Sequence, residues 1–134
     1  MAPPRNSFSY QKVSQIALGV FVVALLTATH LPQGSSVLPP EEHNLDKAYH
    51  FAAYGVLALL VATTWELSTG VLTVRHLRWV WFAVVIFGAL DEITQLLVGR
   101  DCSIWDWSAD ALGTAVGLIA FAWFRKLVSR RGQP

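Results

Sequence analysis

Four long apolar stretches constrain this chain more than any other feature of its sequence. They cover residues 13–31, 47–67, 77–98 and 107–124. An α-helix needs about 20 mostly apolar residues to cross the ~30 Å hydrocarbon core of a bilayer, and each stretch is close to that length. The polar, turn-forming links between them cannot continue a helix through lipid. The sequence therefore predicts an all-α polytopic membrane protein whose four transmembrane helices form an antiparallel bundle.

The composition agrees with a membrane protein and argues against several other classes. Of the 134 residues, 54% are hydrophobic and 14% are charged, whereas an average soluble domain carries about 25% charged residues. The length suits one domain over residues 1–134. The formal net charge of +1 gives no basis for a nucleic-acid partner. The single cysteine, Cys102, excludes an internal disulfide. Membrane lipids are therefore the predicted surroundings, and the oligomeric state stays open.

The first apolar stretch could also be the core of a secretory signal peptide. Arg5 and Lys12 precede it, and small residues stand at its end. The apolar core of a signal peptide is about 7–15 residues long. The stretch here is longer and three others follow it, so we interpret it as the first membrane span.

Basic residues are distributed unevenly between the two ends of the predicted helices. If the N-terminus is cytoplasmic, Lys47 and Arg100 fall outside. The residues that then fall inside are Arg5, Lys12, Arg75, Arg78, Arg125, Lys126, Arg130 and Arg131. Cytoplasmic ends of membrane helices carry an excess of Lys and Arg. Both termini are therefore predicted to lie in the cytoplasm.

Polar residues repeat at helical spacing near the predicted outer ends of the last three helices. Residues three or four positions apart share a helix face. Three stripes follow from this spacing: Asp46, His50 and Tyr54; Gly88, Glu92, Gln95 and Gly99; and Asp106, Asp110, Gly113 and Gly117. The predicted topology brings the stripes to one depth, while the first helix contributes no charge and is interpreted as packing support.

Carboxylates within membrane helices need partners, because a charge at the centre of a span costs roughly 2.5–3.5 kcal/mol on insertion scales. Asp91 and Glu92 are about 100° apart around their helix. We expect Glu92 to point into the stripe that contains Gln95. Arg100 is predicted to pair with Asp106 or Glu92 through paired hydrogen bonds.

The stripes are interpreted either as a polar pocket or as a structural ion-pair network. The ligand-binding or network residues are Asp46, Lys47, His50, Tyr54, Glu92, Gln95, Arg100, Asp106 and Asp110. Gly88, Gly113 and Gly117 are predicted to permit close helix packing. In an enzyme, His50 and Glu92 would be the best catalytic candidates, and Glu92, Asp106 and Asp110 could hold a divalent cation. No specific metal-ligand spacing is present, so neither a metal nor another cofactor is predicted.

Two segments of the chain match the pattern of a known family. The first, residues 46–54, opens a helix with Asp-Lys, His-Phe and Tyr. The second contains Glu92, Gln95, Gly99, Arg100, Ser103, Asp106, Gly113 and Gly117 in the expected order and spacing. Together they resemble the VanZ-like family of small bacterial membrane proteins, named for a protein associated with teicoplanin resistance. Asp110 departs from the asparagine expected at its position and adds a negative charge.

The resemblance implies a multi-pass protein of the bacterial plasma membrane, linked to resistance against glycopeptides, and it implies no mechanism. The leading hypothesis is a non-enzymatic envelope protein whose outer polar pocket binds an amphiphile, such as a lipid-linked cell-wall precursor or a lipoglycopeptide. The alternatives are a membrane-embedded enzyme acting on a lipid head group and a structural accessory subunit.

Overall fold

The computed structural model describes residues 5–31 and 43–131, and these residues form helices with no β-strand. The four α-helices are α1 (Arg5–Thr29), α2 (His43–Thr69), α3 (Val74–Gln95) and α4 (Ile104–Arg131). A 3₁₀ turn over Leu96–Val98 extends α3. The apolar segments long enough to cross a membrane are Ser9–Thr29, Leu45–Thr69, Val74–Val98 and Ile104–Ser129. The predicted all-α fold with four membrane-spanning helices is confirmed.

Every helix begins several residues before the apolar stretch that predicted it. α4, for example, begins at Ile104 rather than at residue 107. Apolar length detects only the part of a helix that hydrocarbon can surround, whereas the hydrogen-bonded backbone continues into polar sequence. The predicted boundaries therefore describe the membrane-embedded part of each helix better than its ends.

Specific backbone features terminate α2 and α3 and start the next helix. Gly70 follows α2 with a φ of 94°, and Gly99 follows the 3₁₀ turn with a φ of 77°. Glycine is the residue that adopts such left-handed backbone at no steric cost. Thr73 caps α3, since its hydroxyl accepts a hydrogen bond from the His76 N–H at 3.4 Å. In return, Nδ1 of His76 accepts one from the Thr73 N–H at 3.2 Å.

α2 lies in the middle of the bundle, packs along α4 and also contacts α1 and α3. Its backbone approaches α4 closely at two glycines. A β-carbon on Gly113 would collide with the carbonyl oxygen of Phe51, and one on Gly117 would collide with that of Gly55. Small residues at such crossings let two helix backbones meet without intervening side chains. The α2–α4 contact therefore depends on the missing side chains of α4.

The bundle carries large apolar side chains on its outer surface. Val20, Ile119 and Trp123 are each at least 65% exposed. Lipid tails accept such side chains, whereas water does not. The interior instead mixes apolar residues such as Leu57 and Val80 with buried polar groups. The distribution of side chains is that of a membrane protein.

An ion pair joins α2 and α4 at the end of the bundle that contains the α2–α3 link. Nη1 of Arg125 lies 2.8 Å from Oε2 of Glu66, and it also donates to the carbonyl oxygen of Leu72 at 2.7 Å. Both side chains are partly exposed, so the pair contributes modestly to stability. Glu66 is therefore a partly buried carboxylate at the opposite end of the bundle from the polar stripes.

Candidate functional site

Polar side chains from α2, α3, the α3–α4 link and α4 converge at the end of the bundle where α2 and α4 begin and α3 ends. We call this group the polar cluster; it comprises Asp46, Lys47, His50, Tyr54, Asp91, Glu92, Gln95, Arg100, Asp106 and Asp110. Asp110, Glu92 and His50 are 0%, 2% and 6% exposed. Polar side chains in membrane helices gather in the protein interior because they find hydrogen-bonding and charged partners there.

His50 occupies the centre of the polar cluster. Its Nδ1 lies 2.9 Å from Oδ1 of Asp110, within hydrogen-bonding distance, and 3.8 Å from Oε1 of Glu92. Its Nε2 faces Oδ1 of Asp46 at 4.0 Å. The imidazole ring of His50 is thus surrounded by carboxylates from α2, α3 and α4.

Glu92 is held in position by two donors as well as by its proximity to His50. Oε2 accepts a hydrogen bond from the N–H of Ser103 at 2.9 Å, and Oε1 accepts one from the side-chain amide of Gln95 at 3.4 Å. Ser103 directly precedes α4, so this carboxylate joins the end of α3 to the start of α4.

The two basic side chains of the polar cluster, Lys47 and Arg100, each lie near an aspartate. Nη2 of Arg100 lies 3.8 Å from Oδ1 of Asp46, and Nζ of Lys47 lies 3.8 Å from Oδ1 of Asp106. The sequence predicted Arg100 beside Asp106 or Glu92. That pairing stays a prediction, and the contact with Asp46 links Arg100 to the start of α2 as well.

Asp91, Thr29 at the end of α1 and His30 directly after it extend the polar cluster beyond the predicted set. Oδ1 of Asp91 accepts a hydrogen bond from the Thr29 hydroxyl at 3.0 Å and lies 3.6 Å from Nδ1 of His30. Oδ2 accepts one from the Tyr54 hydroxyl at 3.2 Å. Gln95 donates to Asp91 as well as to Glu92.

Glu92 contacts Gln95 as expected, but Asp91 contacts it too, and the interpretation of α1 as packing support alone is corrected. α3 has neighbours on two sides, so carboxylates about 100° apart on it can both face the interior. Asp91 turns towards α1, while Glu92 approaches α4. Thr29 and His30, at the polar end of the first apolar stretch, were the available signal for this contact.

Three buried side-chain oxygens in the part of the chain that the structure describes have no hydrogen-bond partner. They are Oδ1 of Asp106, Oδ2 of Asp110 and Oγ1 of Thr114. Gly88 borders this region, since a β-carbon there would lie 3.1 Å from both Oδ2 of Asp110 and Cε1 of Tyr54. Gly88 thus leaves room for the side chains of Asp110 and Tyr54. The acid-rich interior contains oxygens that could accept further hydrogen bonds.

A groove of about 450 Å³ borders the polar cluster between the end of α3 and the start of α4. Its lining residues are Ala89, Glu92, Ile93, Cys102, Ser103, Ile104 and Trp107. The indole N–H of Trp107 donates to the carbonyl oxygen of Val85 at 3.0 Å, which orients this wall. The groove is mainly apolar, and Glu92 belongs both to it and to the polar cluster.

These features define a polytopic α-helical membrane protein with a buried, acid-rich cluster at one end of its bundle. A family model described as VanZ/LLP1 matches residues 5–125, nearly the whole chain. The chain belongs to the VanZ-like family, as its sequence motifs predicted. No curated protein and no solved structure matches it.

The orientation predicted from basic residues can be tested at Cys102. This cysteine is exposed, follows α3 and is the single cysteine of the sequence. With both termini in the cytoplasm it lies outside, so we expect a membrane-impermeant maleimide to label it fully in intact spheroplasts. Ser129→Cys in a Cys102→Ser background is the matched control and should label only after permeabilisation. The reverse labelling pattern would show that the predicted orientation is wrong.

Proposed function

We propose that this chain is a non-enzymatic protein of the bacterial plasma membrane that binds a lipoglycopeptide and contributes to teicoplanin-type resistance. In this proposal both termini are cytoplasmic, and the polar cluster lies at the outer side of the membrane. The observation that carries it is the position of Glu92, which is shared by an apolar groove and a polar cluster.

The groove suits an amphiphile. Its volume of about 450 Å³ lies within the range of about 300–1,000 Å³ that is common for small-molecule sites. Ile93, Ile104 and Trp107 offer an apolar surface for an acyl chain. Glu92 and Ser103 provide polar groups on the same wall, where a head group would meet the cluster.

The excess of carboxylates favours a head group rich in hydrogen-bond donors. Asp46, Asp91, Glu92, Asp106 and Asp110 outnumber Lys47 and Arg100. Hydroxyl, amide and ammonium groups donate to carboxylates, whereas a phosphate oxygen only accepts and is repelled by them. This chemistry supports a lipoglycopeptide over a lipid-linked cell-wall precursor, whose sugars are joined to the lipid through phosphate.

Glu92→Gln is expected to weaken lipoglycopeptide binding at least about tenfold, which corresponds to roughly 1.4 kcal/mol. The substitution keeps the shape of the side chain and removes its charge, so charge-assisted hydrogen bonds to the ligand weaken. Binding is measured by isothermal titration of teicoplanin into the full, unlabelled chain in lipid nanodiscs. Cells that express the variant should lose any resistance that the parent chain confers.

Glu66→Gln is the matched control, because it makes the same chemical change at the Glu66–Arg125 ion pair. It should bind teicoplanin like the parent chain. Unchanged binding and resistance in a folded Glu92→Gln variant would contradict the proposal. If a lipid-linked precursor bound more tightly than teicoplanin, the precursor would be the ligand in place of a lipoglycopeptide. Release of a head group during incubation would instead establish a membrane enzyme. Crosslinking to one partner protein, without binding of either amphiphile, would establish an accessory subunit.

A further inference from the structure

We propose that His50, Glu92 and Asp110 bind a divalent transition-metal cation of the Zn²⁺ or Mn²⁺ type. One potential ligand atom from each residue lies within 4.8 Å of the other two. Nδ1 of His50 is 2.9 Å from Oδ1 of Asp110 and 3.8 Å from Oε1 of Glu92. Ligand atoms around tetrahedral Zn²⁺ are about 3.4 Å apart, given bonds of about 2.0–2.2 Å. Small side-chain movements would therefore bring all three onto one ion.

The charge of the group favours a dication. Glu92 and Asp110 are both buried, and His50 lies within 4.0 Å of each. Two carboxylates and one neutral imidazole around a divalent cation sum to zero. Buried carboxylates without such compensation are costly. The mixture of one nitrogen and two oxygen ligands suits Zn²⁺ or Mn²⁺ better than Mg²⁺ or Ca²⁺, which prefer oxygen alone.

The residues around the three ligands resemble the outer shell of a metal site. A metal-bound histidine usually directs its second ring nitrogen towards a carboxylate or carbonyl. Nε2 of His50 faces Oδ1 of Asp46 at 4.0 Å. Oε2 of Glu92 accepts the Ser103 N–H at 2.9 Å, while Oε1 lies 3.8 Å from Nδ1 of His50 and accepts a long hydrogen bond from Gln95 at 3.4 Å. A cation would replace Gln95 as the partner of Oε1, and Ser103 would keep the carboxylate oriented.

The second carboxylate oxygen of Asp110 supports the proposal independently of the spacing. Asp110 is 0% exposed, and its Oδ2 has no hydrogen-bond partner among the described residues. A buried acceptor without a donor has lost its hydrogen bonds to water and gained none in the protein, which costs free energy. A cation bound to the Asp110 carboxylate would compensate this cost through either oxygen.

A second group, Asp46, His50 and Asp106, also brings ligand atoms within 4.8 Å. Lys47 and Arg100 lie 3.8 Å from its two carboxylates and would repel a cation there. The wholly buried group is therefore the better site. The sequence predicted no metal because the three ligands come from three helices, so no short motif joins them.

The full chain in detergent is stripped with EDTA and titrated with Zn²⁺, Mn²⁺ and Mg²⁺ in the absence of any lipoglycopeptide. We expect one Zn²⁺ or Mn²⁺ per chain, weaker Mg²⁺ binding, and a thermal midpoint that rises with metal and falls again with chelator. His50→Gln and Asp110→Asn should each weaken binding at least about tenfold. Loading the parent chain with Co²⁺ should give a visible spectrum typical of one nitrogen and several oxygen ligands, which requires no variant.

His76→Gln is the matched control, since it removes a histidine at the α3 cap, where glutamine is itself a common capping residue. It should bind metal like the parent chain. Failure of the parent chain to bind Zn²⁺ or Mn²⁺ would overturn the proposal, as would unchanged binding in His50→Gln and Asp110→Asn. Since no lipoglycopeptide is present, this result is independent of the proposed function.

Discussion

Replacing Gly113 with alanine should separate α2 from α4 and lower the free energy of unfolding by about 1–3 kcal/mol or more. The added β-carbon would collide with the carbonyl oxygen, carbonyl carbon and Cα of Phe51. These are backbone atoms, so no flexible side chain can move aside. The helices would have to shift apart along the most extensive interface of the bundle. Graded denaturation of the purified chain in mixed micelles measures the loss.

Gly19→Ala is the control for this prediction. Gly19 also lies within a helix, α1, but a β-carbon there would meet no atom within 4 Å beyond its own stretch of helix. Because alanine has the higher helix propensity by about 1 kcal/mol, this change should leave stability equal or slightly raised. If Gly113→Ala and Gly19→Ala unfolded at the same denaturant concentration, the close approach of α2 and α4 would be refuted.

Replacing His50 with leucine should cost about 3–5 kcal/mol of unfolding free energy, the range observed when one partner of a buried ion pair is removed. The variant removes a basic group that lies within 4.0 Å of both Glu92 and Asp110, which are buried. Unfolding is followed in bicelles with chelator present, so that metal binding makes no contribution. The expected result is a lower denaturation midpoint with an unchanged helical spectrum at zero denaturant.

A double-mutant cycle separates the energy of the His50–Asp110 contact from the effect of each substitution on packing. His50→Leu combined with Asp110→Leu removes both partners of the 2.9 Å contact and should be less destabilising than the sum of the two single changes. Asp110→Asn serves as the conservative comparison, because the amide oxygen can still accept a hydrogen bond from His50. Additive single effects, within about 0.5 kcal/mol, would show that His50 and Asp110 are not energetically coupled.

The predicted stripes show how far helical spacing can locate a site. Asp46 and His50 on α2, Glu92 on α3 and Asp110 on α4 lie at one end of the bundle, and the spacing of their stripes suggested this convergence. The same argument missed Asp91, Thr29 and His30, since it assumed that only one face of α3 looks inward. A helix with neighbours on two sides has two interior faces, and this depends on the packing arrangement.

The sequence by itself determined the number of spans and their helical structure, because a bilayer permits only a backbone that satisfies its own hydrogen bonds over about 20 apolar residues. It also determined the family, through motifs spread over the last three helices. The tertiary structure alone decided which side chains meet. Arg100 reaches Asp46, Asp91 meets α1, and His50 stands between Glu92 and Asp110. Such pairings depend on how each helix is rotated and tilted against its neighbours, and apolar length does not specify either.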